Sequence, residues 1–168
     1  MRYLSLLAVV AASAALAGDD VALNGDFRGS RPGAETVPGW SKQSGDGALL
    51  IKATDDRDEF AAQLTAGKTA TVLVSDSYPV TGTRLEFDFD VKGSGSGAAK
   101  VEFLDSEGKV LATGAEFAIS ASWYKFGKQE FKRENIAVPA AAKSVRFVLQ
   151  SAPCGRLVFS DLDAEFER

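Results

Sequence analysis

Carboxylates dominate the chemically competent side chains of this sequence, and histidine is absent from it. Without imidazole there is no serine-histidine or cysteine-histidine nucleophile and no His-containing metal centre. Paired carboxylates can hydrolyse glycosidic bonds at defined separations. No acid here stands in a recognisable catalytic context, so the chain is read as a binding protein and not an enzyme. In "RLEFDFDVK", residues 84–92, Glu86, Asp88 and Asp90 fall on one side of a strand. They form either a solvated row with Lys and Arg partners across the sheet or a patch that holds a cation or hydroxyl groups. The run "ATDDRDEF" at 53–60 alternates acids as an EF-hand does but lacks the central glycine and the closing acid, so it reads as a charged loop.

The elements that must position these groups have a period of two. Leu85, Phe87, Phe89 and Val91 alternate with the acids and with Lys92, which predicts a half-buried strand. "AKVEFLDSEGKVLATG" predicts a hairpin turning at Ser106-Glu107-Gly108. "GALLIKA", "TATVLVS", "KSVRFVLQ" and "RLVFSDLDAEF" are further strands, rich in β-branched and aromatic residues. The Gly-Ser run at 93–97 is expected to be a flexible hairpin loop. Eight or so short strands and no helical stripe predict an all-β, two-sheet antiparallel sandwich of the jelly-roll kind.

Residues 1–17 have the form of a signal peptide: Arg2, an apolar run, then Ala15 and Ala17 at an A-x-A cleavage pattern. The run is short for a membrane span, which needs about 20 apolar residues. An exported, periplasmic or extracellular domain over 18–168 is expected, with no membrane insertion. The formal charge of −4 argues against nucleic acid. The single Cys154 cannot close an internal disulfide; it is buried and inert or bridges to another molecule.

The order of motifs is more informative than any one of them. "LNGDF", "VPGW", "YPVTGTRLEFDFDVKGSGSG", "VEFLDSEGKVL", Trp123, "VPAAAKSVRFVL" and "GRLVFSDLDAEF" together resemble the carbohydrate-binding modules of the galactose-binding-like jelly-roll superfamily, of the types of families four, nine and twenty-two. The resemblance implies that the Asn-Gly segment starts the first strand and that "FSDLD" is the closing signature, with Asp161 at its second aspartate and Ser160 in place of its first. It also implies a calcium site, in which an acid directly after the opening motif joins that aspartate. Arg28 stands at that position, and a guanidinium cannot ligate a cation. An Arg28–Asp161 ion pair in place of the metal, and hence no cofactor, is the expectation.

The same resemblance implies a polysaccharide or glycan as partner, held without a chemical step. Flat rings suit the apolar faces of sugars. Trp40, Tyr78, Trp123 and Tyr124 are the candidates; for Trp40 and Tyr78 packing against the sandwich is the preferred reading. A protein-interaction or structural module on the same scaffold, with a protein partner, is the alternative, and a charged binding face without rings would favour it.

Overall fold

A computed structural model describes residues 19–54, 59–121 and 128–167. Residues 1–17, Trp123 and Tyr124 lie outside them. Eleven strands follow one another: β1 (Asp19–Asp20), β2 (Trp40–Ser44), β3 (Ala48–Ala53), β4 (Phe60–Thr65), β5 (Thr71–Ser75), β6 (Tyr78–Pro79), β7 (Arg84–Leu104), β8 (Val110–Ala121), β9 (Gln129–Ala137), β10 (Ser144–Ser151) and β11 (Arg156–Glu167). All pairings are antiparallel. The first sheet runs β3-β4-β11-β7-β9, with β1 on β11; the second runs β2-β5-β10-β7-β8, with β6 on β10. The all-β jelly-roll expectation holds.

The 21 residues of β7 belong to both sheets. Its first half pairs with β11 and β9, its second with β10 and β8. The run at 93–97 is therefore no hairpin loop but the corner at which one strand changes sheets. Gly93 and Gly95 have φ of 144° and 98°, which residues with a Cβ rarely adopt. The hydrogen-bond ladder continues through them, Gly93 opposite Leu157 and Gly97 opposite Ile119 and Ser151. On both sides of the corner the odd-numbered residues face inward: Leu85, Phe87, Phe89 and Val91, then Ala99, Val101 and Phe103, all buried. The core is built on phenylalanine. Phe87 lies 4.7 Å from Phe147, and Phe89 stacks on Phe131 at 5.1 Å and meets Phe117 edge-on at 5.2 Å. Such pairs add roughly 0.5–1.5 kcal/mol each beyond their buried area.

The period-two reading does not reveal β2 or β4. "WSKQS" is a polar edge strand, and "FAAQLT" owes its weak signal to two alanines, poor strand formers that here are buried.

The opening segment is also assembled differently from expectation. Strand β1 precedes it, and Asn24–Phe27 is a turn whose Phe27 N–H donates to the Asn24 carbonyl. The Asn24 side chain clasps the whole loop. Its Oδ1 accepts the Arg28 N–H at 2.8 Å, and its Nδ2 donates to the carbonyls of Arg28 at 2.9 Å and Pro38 at 2.8 Å. Trp40 Nε1 donates to the Asn24 carbonyl at 3.0 Å, and the Trp40 ring packs 5.6 Å from fully buried Phe27. Asn24→Ala removes three hydrogen bonds, yet water replaces some of them, and a loss of about 1 kcal/mol in urea unfolding is expected. Asn24→Asp keeps the acceptor and should fall between that variant and the wild type.

Candidate functional site

The solvent face of the first sheet carries a cleft of about 410 Å³, lined chiefly by Lys52, Gln63, Lys92, Lys128, Ser160 and Asp161. Strand alternation sets most of this lining. Ile51, Ala62, Leu64, Val91, Leu157 and Phe159 are buried in the core, so Lys52, Gln63, Lys92, Val158 and Ser160 point the other way. Gln63, Val158 and Lys92 stand in one cross-strand row, and Ser160 stands opposite Asp90. Asp161 departs from the alternation. It has φ of 51° at a bulge in β11, where the register shifts between Ser160 and Asp163, and the bulge aims its carboxylate at the end of the cleft.

A second cavity, of about 360 Å³, adjoins the cleft through Glu59 and Asp161 and adds Asp26, Asp88 and Asp163. The Asn24–Phe27 turn brings Asp26 there: its carbonyl accepts the Phe60 N–H at 3.0 Å, and Gly25 lies so near Leu162 that a Cβ would come within 1.7 Å of that carbonyl oxygen. Carboxylate oxygens of Asp26, Glu59 and Asp161 lie within 4.8 Å of one another. They are the hard donors that Ca²⁺ requires. Cationic side chains already hold two of the three, however. Arg28 Nη2 lies 2.7 Å from Asp26, and Lys128 Nζ bonds both Asp161 and, at 2.6 Å, Asp90. So arranged, the set does not suit a metal ion.

Charge coupling follows this geometry. Burial lifts the pKa of Asp90 above the ordinary carboxylate range, and a hydrogen bond with Asp161 adds to the lift, against the hydrogen bond from Lys128. Burial also pushes Asp161 upward, but the hydrogen bonds from Lys128 and Asp90 outweigh it and bring its pKa down. Hydrogen bonds to Asp161 and Asp90 hold Lys128 firmly protonated. Burial and neighbouring Asp163 raise Asp88, against the pull of Lys132.

The expected Arg28–Asp161 pair does not form. Among the described residues Arg28 pairs with Asp26 in its own turn, and Lys128 takes Asp161. Trp40 is not an exposed platform: it is 7% exposed, fixed by its indole hydrogen bond and its contact with Phe27. Tyr78 is half-buried against Phe147, 6.4 Å away, in the packing role preferred for it from the sequence. The row Glu86, Asp88, Asp90 is a partner set for lysines, through Lys132 and Lys128. Cys154 is exposed, not buried. Sequence reasoning missed Lys52, Gln63, Lys92 and Lys128. The first three could have been found as the outward positions between buried neighbours; Lys128 precedes β9 and carries no such signal.

No family model matches this sequence, and no curated protein does. Solved structures do. The enzymatically active domain of bacteriophage CBA120 tailspike protein 4 superposes with a TM-score of 0.63 at 14% identity over 82% of this chain, which spans only 21% of that one. The family 22 xylan-binding domain from Paenibacillus barcinonensis gives a TM-score of 0.54 at 16% identity, covering 90% of this chain and 97% of that domain. A family 61 module, solved with β-1,4-galactotriose, gives 0.53 at 12% identity, covering 82% of this chain and all of that one. The likeness is one of fold: the chain is an antiparallel jelly-roll β-sandwich similar to these carbohydrate-binding modules.

Proposed function

We propose that this chain is an exported, non-catalytic module that binds a glycan in the cleft on the outer face of the first sheet. The observation that carries the reading is the cleft itself. It is a groove with a floor of small residues, Ala61 and Val158, and with Gln63, Ser160 and charged groups at hydrogen-bonding positions around it, on a fold shared with xylan- and galactotriose-binding modules. Neutral and charged donors beside carboxylate acceptors are what sugar hydroxyls need. Nothing in this arrangement requires a bond to be broken.

A pull-down on insoluble xylan, β-1,4-galactan and a panel of other polysaccharides tests the proposal. Retention that falls about tenfold in the Gln63→Ala/Ser160→Ala double variant is expected, the effect of two lost hydrogen bonds. Trp123→Ala in the same assay reports whether that ring takes part. The described lining contains no aromatic ring and is charged, which favours the second reading, a module that docks a protein partner by charge. Absence of retention on every polysaccharide would turn the assignment to that reading.

A further inference from the structure

The outer face of the first sheet is electrically polarised along its strands. At one end stand Glu86, Asp88, Asp163 and Glu165, paired across β7 and β11. Towards the other stand Lys92 and Arg156, and Lys52 lies across the sheet on β3, opposite Ala61. Lys92 shares a row with Val158 and Gln63, and Arg156 is two residues from Val158 on the same face. The lysines nearer the acidic end are taken, Lys128 by Asp90 and Asp161 and Lys132 by Glu86. Lys52, Lys92 and Arg156 have no carboxylate partner among the described residues. Lys52 and Lys92 line the cleft from opposite sides, on β3 and β7. Three strand spacings separate them, roughly 14 Å, with only the neutral floor of Ala61, Gln63, Val158 and Ser160 between. Among the described residues this face neutralises its other lysines and leaves two cations unmatched around a groove, an arrangement that suits a ligand bringing the opposite charge.

We infer that the ligand of this cleft is an anionic glycan, carrying carboxylate or sulfate groups that Lys52 and Lys92 receive, with Arg156 beside them. This rests on the glycan-binding reading and specifies its substrate class. Gln63 and Ser160 hold the neutral hydroxyls of the same chain. Asp161 is already held by Lys128, which leaves Lys52 and Lys92 to receive the charge of the ligand.

Affinity electrophoresis and calorimetry of the purified protein with polygalacturonate, a sulfated galactan, neutral β-1,4-galactan and polyglutamate test this. The expected result is binding to one or both anionic glycans, the two arms separating carboxylate from sulfate recognition. That binding should weaken about tenfold between about 0.05 M and about 0.5 M salt, because charges at an exposed cleft are screened. Lys52→Gln/Lys92→Gln should lose about tenfold on the anionic polymer, Lys52→Arg/Lys92→Arg should retain it, and thermal unfolding should show both variants folded. Equal affinity for neutral galactan, indifference to Lys52→Gln/Lys92→Gln, or equal binding of polyglutamate would overturn the inference while glycan binding itself could stand. Retention of no polysaccharide would overturn both.

Discussion

Gly93→Ala is expected to lose about 3–5 kcal/mol of stability, read as a lower urea midpoint at unchanged slope. Two costs add. The backbone at φ 144° lies where a residue with a Cβ is strained by about 1–3 kcal/mol. The new Cβ would also come within 2.1 Å of the Arg156 carbonyl oxygen and 3.0 Å of the Leu157 Cα. Those atoms belong to β11, which is held between β7 and β4, so they cannot retreat without breaking a ladder. Gly108→Ala separates the costs: φ is 79° there and nothing lies within 4 Å of the added atom, so strain acts by itself and about 1 kcal/mol is expected. Equal losses in the two variants would show that the corner is slack. The consequence reaches the cleft, because Lys92 immediately precedes Gly93; the alanine variant should bind more weakly even where it remains folded.

How much of this was legible follows from where each residue's surroundings come from. The inward faces of β3, of β7 from Leu85 to Val91 and from Ala99 to Phe103, and of β10 from Val145 to Leu149 are written locally, since every second residue along those stretches is apolar and buried. The corner at 93–97 was misread because a glycine-serine run is compositionally the same in a loop and in a strand that must pass close to Arg156 and Gln150; only the neighbouring strands distinguish them. Trp40 was ambiguous for a related reason. Its burial depends on Asn24 and Phe27, 16 and 13 positions away, and no period connects them. The ion pairs were the least legible. The opening turn does come near Asp161, through Asp26, but which cation reaches Asp161 is decided by the bulge in β11 and by the entry into β9, both tertiary facts. An alternating pattern specifies which face a charge occupies. It does not specify the partner it meets there.

Lys128→Ala tests that partner directly, and the expected loss is about 2 kcal/mol at neutral pH. One ammonium serves two carboxylates, and Asp90 is only 13% exposed, so removing it leaves two like charges facing each other with little water between. The cost stays below the roughly 3–5 kcal/mol of a fully buried pair because Lys128 is 52% exposed and solvent already screens it. The pH dependence fixes the cause. Without Lys128 the folded-state pKa of Asp90, already raised, moves further above its unfolded value. The ionised form is then the penalised one, so the loss is present above that raised pKa and disappears as acidification protonates Asp90, which can then donate to Asp161. In the wild type Lys128 works in the other direction: its raised pKa means that its contribution is complete below the unfolded value of 10.5 and fades as pH rises beyond it. The same variant reports on the metal. With Arg28 on Asp26 and Lys128 on Asp161, the unfolding midpoint of the wild type should not change between calcium and chelator. In Arg28→Ala/Lys128→Ala the carboxylates of Asp26, Glu59, Asp90 and Asp161 lose those two cations, and calcium should raise the midpoint by binding only the folded state. A wild-type midpoint that rises with calcium would show that the two side chains give way to the ion. A double variant indifferent to it would show that the carboxylates, though near one another, do not converge on a common centre.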